Sequence, residues 1–262
     1  GKTPAHLVSG HLQKIKDELD AIRNQLVADL IDNALDFHYQ AIYDNESREI
    51  IGYESLSRFV IDQRIELALP IIQMLEESGK ISQLDFKSIE YAGMTLKRLN
   101  EQGVNTDNIS IFVNISSNTI ISEEAEKFVR AAQKHHWPIK NIVLEITERQ
   151  VINNPRIVKT LQALRAYGFR IGLDDFSIGH ASLSLLTKFK FDKVKLDRDL
   201  LSEKDKDFVR IKSFTYLIER LKGYDVTLVA EGIETEFQSQ FIRKLDVKLV
   251  QGYFFHRPQR IK

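Results

Sequence analysis

The 262-residue chain balances 37 lysines and arginines against 37 aspartates and glutamates, so it has no overall positive field to attract long DNA or RNA. It contains no cysteine, which excludes disulfides, thiol nucleophiles and thiolate metal sites. Its apolar runs are too short to span a membrane, and its first residues lack a signal-peptide pattern. Because the sequence begins at Gly1 rather than at methionine, we expect it to be a piece of a longer protein.

Residues 1–33 form the first predicted element, a linker helix with a heptad seam. Its apolar side chains alternate spacings of four and three residues, and the positions between them are mostly charged or polar. This pattern indicates either a coiled coil or an amphipathic helix that packs on its own barrel, and fewer than three heptads leave both interpretations open. The seam residues are Val8, Leu12, Ile15, Leu19, Ile22 and Leu26.

The remaining residues, 34–262, repeat one pattern, in which a short β-branched apolar run ends in a polar residue and a helical segment follows. Such runs predict buried strands, and eight can be counted if residues 37–41 form the first. Helical segments include 123–135, 155–167 and 207–222. The alternation predicts an α/β fold of the (β/α)8 TIM-like barrel type, whose functional residues gather at the carboxyl ends of the strands. The polar residues at these ends are Glu54, Asn114, Glu145, Asp174, Lys195, Glu231 and Gln251.

Asp174 and Asp175 end one of these runs as two adjacent carboxylates. Adjacent residues within a strand point to opposite faces, but at a strand end that turns into a loop both can reach one cation. Close anions repel unless a positive charge lies between them, so the pair indicates a divalent metal site; a solvated surface pair is the alternative. The candidate ligands are all oxygen donors, without histidine or cysteine, which favours Mg²⁺ or Mn²⁺ over zinc.

Seven short motifs, in order along the chain, resemble those of EAL domains, the cyclic-di-GMP phosphodiesterases of bacteria. The similarity extends from about residue 37 to residue 258. It is carried by Tyr53-Glu54-Ser55-Leu56-Ser57-Arg58, Val113-Asn114-Ile115-Ser116, Glu145-Ile146-Thr147-Glu148, Asp174-Asp175-Phe176, Lys195-Leu196-Asp197, Ala230-Glu231-Gly232-Ile233-Glu234-Thr235 and Gln251-Gly252-Tyr253.

The resemblance implies an enzyme, a cyclic-di-GMP phosphodiesterase that produces linear pGpG with the help of two Mg²⁺ or Mn²⁺ ions and that Ca²⁺ inhibits. It also implies roles for individual residues. Lys195, Glu231 and Asp175 would be catalytic, and Glu148 and Glu234 would hold loops and ligands in place. The metal ligands would be Glu54, Asn114, Glu145, Asp174, Asp175 and Glu231, and the substrate contacts would come from Gln40, Leu56, Arg58 and Gln251.

The resemblance further implies a homodimer, an upstream sensory domain beyond this chain, and a cytoplasmic location, either free or as the cytoplasmic domain of a larger membrane-anchored protein. Two alternatives remain. One is a cyclic-di-GMP receptor that binds without turnover, and the other is a barrel that serves only as a dimerisation platform. Several positions depart from the family pattern: Ser55 replaces alanine, Ala41 replaces proline, the segment after Arg58 is short, and Ser177 and His180 replace glycine and tyrosine in the loop after Asp175.

Overall fold

A computed structural model of the chain describes residues 4–66, 68–121, 124–154, 156–177, 180–196 and 208–261. The chain divides into two compact units. The first consists of Gly1–Asp36 and Ser57–Leu84, and the second of Phe37–Leu56 and Asp85–Lys262. The domain boundary expected from the sequence, between residues 33 and 34, stays a prediction.

The second unit is built around a closed barrel of eight strands. Seven of them run parallel, in the spatial order β9, β8, β7, β6, β5, β4 and β2, and β1 closes the ring by pairing with both β9 and β2. The predicted α/β barrel is therefore confirmed, and the predicted first strand lies within β1. The strands are β1 (Leu35–Asp44), β2 (Ile50–Ile61), β4 (Ser110–Asn114), β5 (Ile142–Thr147), β6 (Arg170–Phe176), β7 (Lys193–Leu196), β8 (Thr227–Ala230) and β9 (Leu249–Val250).

One strand departs from the parallel arrangement, because β1 pairs antiparallel with β9. The cause is the short connection from β1 to β2. Asp44 accepts hydrogen bonds at its side chain from the N–H groups of Glu46 and Ser47, and its own N–H donates to the carbonyl of Glu49. This tight turn can join only antiparallel neighbours, since parallel strands need a long crossover.

Helices follow the strands in the alternation that the sequence predicts. The predicted helical segments correspond to α5, α7 and α9, while residues 123, 155 and 207 lie outside the described residues. Two helices that follow a strand, α6 after β5 and α10 after β8, start with a capping box, Thr147 with Gln150 and Thr235 with Gln238. The helices are α3 (Ile81–Glu101), α4 (Ser117–Ile121), α5 (Glu124–His135), α6 (Glu148–Asn153), α7 (Arg156–Ala166), α8 (His180–Lys188), α9 (Phe208–Leu221) and α10 (Glu236–Lys244).

An apolar layer inside the barrel lies beneath the candidate site. Side chains two apart in a strand share a face, so Phe112, Val143 and Val229 point the same way as the polar residues that follow each of them by two positions. These three side chains, together with Ile42 and Leu249, form one buried cluster. The strands therefore present an apolar layer toward their amino ends and a polar layer at their carboxyl ends.

The first unit combines α1 (Pro4–Asp29), a π-helical turn (Leu30–Ala34), the end of β2, the short strand β3 (Arg64–Glu66) and α2 (Ala68–Glu77). The predicted N-terminal helix is thus confirmed. Beyond Phe59, β2 and β3 form a hairpin. Among the described residues, no helix has both the length and the apolar character that crossing a lipid bilayer requires. The core of this unit contains Val27, Ile31, Phe59, Ile71, Leu75, Ile81 and Leu84.

Candidate metal centre

The centre of the site is the buried ammonium group of Lys195 at the end of β7. Its side chain is only 1% exposed, and four carboxylates surround Nζ. The sequence alone makes Lys195 resemble a surface residue of a lysine-rich stretch, but its position in the barrel places it among acidic side chains. The distances from Nζ are 2.6 Å to Glu231, 3.2 Å to Glu145, 3.3 Å to Glu54 and 3.5 Å to Asp174.

The strand register brings these side chains to one level. Asn114 pairs with Glu145 across β4 and β5, so the two residues reach the strand ends side by side. Gly172 of β6 pairs with Glu145, and Asp174 follows two residues later on the same face. A Cβ atom on Gly172 would lie 3.2 Å from Cγ of Glu145, so a larger residue at this position would crowd the buried acid.

The adjacent carboxylates of Asp174 and Asp175 both reach the site because the strand backbone changes direction between them. Asp175 has φ of 52°, in the left-handed region, and the pairing of β6 with β7 shifts register between Leu173 and Phe176. A non-glycine residue in this conformation costs about 1–2 kcal/mol. Asp174 belongs to two groups of carboxylates, and within each group the oxygen atoms lie within 4.8 Å of one another. The first group is Glu54, Glu145 and Asp174, and the second is Asp174, Asp175 and Glu231.

The site holds more acidic groups than one lysine can balance if all of them are ionised. Burial raises the pKa of Glu145 well above its usual value, although Lys195 opposes this. Burial likewise raises the pKa of Glu231 to about 8. Burial would lower the pKa of Lys195, but the surrounding carboxylates raise it well above the usual lysine range, so the ammonium remains charged. Glu54 has a lowered pKa, because Lys195 and hydrogen bonds from neighbouring amides outweigh its burial.

Two glutamines and an asparagine hold Glu54 in place. Gln251 donates from Nε2 to Oε2 of Glu54 at 2.6 Å and to Oε1 of Gln40 at 3.0 Å. Asn114 donates to Oε1 of Glu54 at 3.0 Å. Predicted site residues of β1, β2 and β4 and the residue that follows β9 therefore form one hydrogen-bonded set, and its carboxylate, Glu54, contacts Lys195.

His256 belongs to the support of this set and has no counterpart in the sequence-based prediction. Its carbonyl accepts from Nε2 of Gln40 at 3.0 Å, and its Nδ1 accepts from the N–H of Ala41 at 3.2 Å. A proline at position 41, as in the family pattern, would have no N–H to donate. The sequence shows that position 41 is alanine and therefore has an N–H to donate. The residue that accepts this hydrogen bond lies 215 positions away, so it could not be identified without the fold.

A pocket opens over the carboxylates. Glu54, Asp175 and Glu231 line it together with Gln40 and Gln251. Glu234 and Tyr253 lie at its exposed side. Gly252 also lines it, and there the chain passes so close to Ile233 that a Cβ atom would lie 2.1 Å from the Ile233 carbonyl oxygen. The pocket wall therefore requires glycine at this position.

Glu148 and Glu234 lie beside the site at the ends of β5 and β8. Glu148 accepts hydrogen bonds from the N–H and the hydroxyl of Ser177, at 3.0 and 3.2 Å, and so holds the chain just after the two aspartates. The N–H of Glu234 donates to Oε1 of Gln238, which also accepts from Thr235 at the start of α10. Both positions fit the supporting role that the resemblance implies, which stays a prediction.

Two further predicted positions, Leu56 and Arg58, follow Glu54 along β2. Leu56 is half-buried on β2, two residues beyond Glu54 and on the same face, but it is not among the pocket-lining residues. Arg58 belongs to the first unit, where its guanidinium donates to the carbonyl of Ser57 at 2.8 Å. Its predicted contact with substrate stays a prediction. Asp197 and the loop residues Ile178 and Gly179 lie outside the described residues.

Comparison with known proteins identifies the family. The family model described as "EAL domain" matches residues 23–258 of the chain. This chain belongs to the EAL domain family. Curated relatives of this EAL chain include an uncharacterized protein of Azorhizobium caulinodans (27% identical, covering 96% of the chain and 35% of the relative) and the Probable cyclic di-GMP phosphodiesterase PdeN of Escherichia coli (27% identical, covering 84% and 42%). The chain thus spans less than half the length of these relatives.

Solved structures support the same fold. The PaMucR phosphodiesterase in complex with c-di-GMP superposes with a TM-score of 0.82 and is 24% identical in sequence. The match covers 90% of this chain and 97% of the PaMucR chain. The Xanthomonas citri FimX EAL domain in complex with c-diGMP also gives a TM-score of 0.82, with 19% identity, 95% coverage of this chain and 97% of that structure. Similarity at this level of identity establishes the barrel of the EAL domain.

The donor set fits divalent cations. Hard cations prefer carboxylate and amide oxygens, and here five carboxylates and Asn114 lie within reach of one pocket. Oε1 of Glu145 is buried and has no hydrogen-bond partner in the described structure. An unpartnered buried carboxylate oxygen is costly, and a bound cation would satisfy it.

Proposed function

We propose that this EAL domain is a cyclic-di-GMP phosphodiesterase, which hydrolyses its substrate to linear pGpG with divalent cations. The observation that carries the proposal is the excess of acidic side chains around Lys195, two of which, Glu54 and Glu231, also line a pocket. A structural ion pair needs one acid for each base, whereas this site has four within 3.5 Å of one ammonium. The printed names of the E. coli relative and of the PaMucR complex support the choice of substrate.

We propose two overlapping cation positions. The first would use Glu54, Glu145 and Asp174 together with Asn114, and the second would use Asp174, Asp175 and Glu231, with Asp174 shared. Bound divalent cations supply charge neutralisation for a phosphate and an acidic water near neutral pH. Mg²⁺ or Mn²⁺ would serve, while Ca²⁺ would inhibit because its larger radius accepts looser geometry.

The protein side chains would prepare the site for attack on phosphorus. Lys195 stays protonated, so it would donate a hydrogen bond and stabilise negative charge rather than remove a proton. Asp175 and Glu231 line the pocket and would orient the attacking water and accept its proton. Gln251 and Gln40 hold Glu54 and line the pocket as well. Arg58 and Leu56 would contact the substrate, and the guanidinium would bind a phosphate oxygen.

One alternative remains specific enough to test, a receptor that binds cyclic-di-GMP without hydrolysis. All six oxygen ligands implied by the resemblance are present, which favours the enzyme. The replacement of the family's glycine by Ser177 is the departure that keeps the receptor as an alternative. The homodimer, the cytoplasmic location and the upstream sensory domain stay predictions.

The test is incubation of the chain with cyclic-di-GMP and Mg²⁺ or Mn²⁺, with products separated by chromatography. We expect linear pGpG, no product in chelator, and no product with Ca²⁺. Glu54→Gln should abolish product formation, whereas Glu126→Gln, on the exposed face of α5, should behave like the unmodified chain. Binding of cyclic-di-GMP without product under every metal condition would establish the receptor instead, and the absence of both binding and product would overturn the proposal.

A further inference from the structure

One backbone N–H of β1 lies where its neighbouring strand has already ended. β9 ends at Val250, which pairs with Tyr43 of β1. Further along β1, Tyr39 exchanges both of its backbone hydrogen bonds with Gln259, at 2.7 and 3.1 Å. N–H groups two residues apart in a strand face the same side, so the N–H of Ala41 faces this side between the two pairings. Ala41 is fully buried, and its N–H therefore needs an acceptor from the protein.

The side chain of His256 is that acceptor, and its backbone makes two more contacts around the pocket. Nδ1 of His256 accepts from the N–H of Ala41 at 3.2 Å. The carbonyl of His256 accepts from Nε2 of Gln40 at 3.0 Å, and its N–H donates to the carbonyl of Gly252 at 3.0 Å. Gln40 and Gly252 both line the pocket. One residue thus joins the turn after β9 to two consecutive residues of β1.

The hydrogen bonds also determine which form of the imidazole this arrangement requires. A neutral imidazole has one accepting nitrogen and one N–H. Nε2 of His256 lies 2.9 Å from Nε2 of Gln259, but a side-chain amide can present its oxygen instead by turning over, whereas the backbone N–H of Ala41 cannot turn. Nδ1 is therefore the acceptor, and the proton is on Nε2. Burial lowers the pKa of His256, which favours the neutral ring.

We propose that His256 is a positioning residue for the substrate and that it acts through Gln40. The inference rests on the proposed function, in which Gln40 contacts cyclic-di-GMP. The Gln40 amide is held at both ends, since Nε2 donates to the carbonyl of His256 and Oε1 accepts from Gln251 at 3.0 Å. Loss of the imidazole would release the first of these ends. The 2.6 Å hydrogen bond from Gln251 to Glu54 would remain, so substrate affinity should suffer more than turnover.

Steady-state kinetics of cyclic-di-GMP hydrolysis in Mn²⁺ tests this role with two variants of His256. His256→Leu removes the acceptor and should raise KM by about 2- to 10-fold, the effect expected from one hydrogen bond, with kcat nearly unchanged. His256→Asn keeps an accepting oxygen close to the position of Nδ1 and should restore most of the affinity. A partly unfolded variant would instead lose kcat at an unchanged KM. His135→Leu, at the exposed end of α5, is the matched control and should behave like the unmodified chain.

Two further measurements separate this inference from the proposed function. Calorimetry of cyclic-di-GMP binding in Ca²⁺ should give a raised Kd for His256→Leu and a recovered Kd for His256→Asn, whether or not the chain hydrolyses its ligand. The ¹⁵N chemical shifts of the imidazole should report a proton on Nε2.

Three results would overturn the inference alone, in a chain that binds cyclic-di-GMP. They are a His256→Leu variant with unchanged KM and Kd, a His256→Asn variant as weak as His256→Leu, and an imidazole that is protonated on Nδ1. An unmodified chain that neither binds nor hydrolyses cyclic-di-GMP would overturn the proposed function and this inference together.

Discussion

Charged side chains are usually exposed and large apolar side chains are usually buried. The carboxyl end of the barrel departs from the first rule, and the first helix departs from the second. At the barrel end, Lys195 and Glu145 are buried with 1% exposure each, although charged residues are rarely buried so completely. On α1, large apolar side chains such as Ile22 are two-thirds exposed. Each arrangement costs free energy within the isolated chain. The comparison teaches that each region carries a cost that its own packing does not require, an excess of buried acidic groups in one case and an exposed apolar stripe in the other.

The largest effect should follow removal of the buried ammonium. Lys195→Met removes the ammonium that contacts four acidic side chains, and breaking a buried ion pair in this way costs about 3–5 kcal/mol. We expect a loss of that size in the free energy of unfolding in chelator, from denaturant titration, together with loss of turnover. Added Mn²⁺ should restore part of the stability, because the carboxylates remain. Unchanged stability would mean that the carboxylates are neutral in the folded chain.

Glu145→Gln should have the opposite effect on stability. It removes one acid from an over-charged site and leaves a neutral amide of the same shape, so we expect the metal-free protein to be more stable by about 1–3 kcal/mol. Turnover should fall by at least about 100-fold. Such a gain in stability with a loss of function is typical of a site arranged for a ligand. A less stable metal-free variant would instead indicate a structural ion-pair cluster.

Two substitutions on α1 separate its two apolar sides. Val27→Ala removes buried methyl groups and should lower the free energy of unfolding by about 1–2 kcal/mol. Leu19→Ala alters an exposed position and should change it by less than about 0.5 kcal/mol when the protein is dilute enough to be monomeric. A loss from Leu19→Ala as large as that from Val27→Ala would contradict this division of α1 into a buried and an exposed apolar side.

A smaller effect concerns pH in the absence of divalent cations. Burial raises the pKa of Glu231 from 4.5 to about 8, so between these values the folded chain holds a proton that the unfolded chain releases. The stabilising contribution is therefore complete below pH 4.5 and is lost as pH rises through about 8. Denaturant titrations in chelator from pH 5 to 9 should show this decline, and Glu231→Gln should flatten it. A stability that rises over the same interval would contradict the assigned burial.

Much of the barrel and of its polar strand ends could be predicted from the sequence, because each strand is a local pattern. A β-branched run predicts Glu145 or Glu231 at a strand end without knowledge of the rest. Three features required the fold. The left-handed backbone at Asp175 is a strained conformation that the residue type does not predict. The hydrogen bond between Gln40 and Gln251 joins residues that are 211 positions apart. The burial of Lys195 requires the acidic side chains in or directly after four other strands.

The most direct test of the central claim is a Mn²⁺ titration of chelator-treated protein, followed by its thermal unfolding midpoint. The account predicts a saturable rise in the midpoint, because cations bind the folded carboxylates and not the unfolded chain. Asp174→Asn, which affects both proposed cation positions, should abolish the rise, and Glu126→Gln should leave it intact. An unmodified chain whose midpoint does not respond to Mn²⁺, Mg²⁺ or Ca²⁺, or an equal rise in Asp174→Asn, would contradict the account.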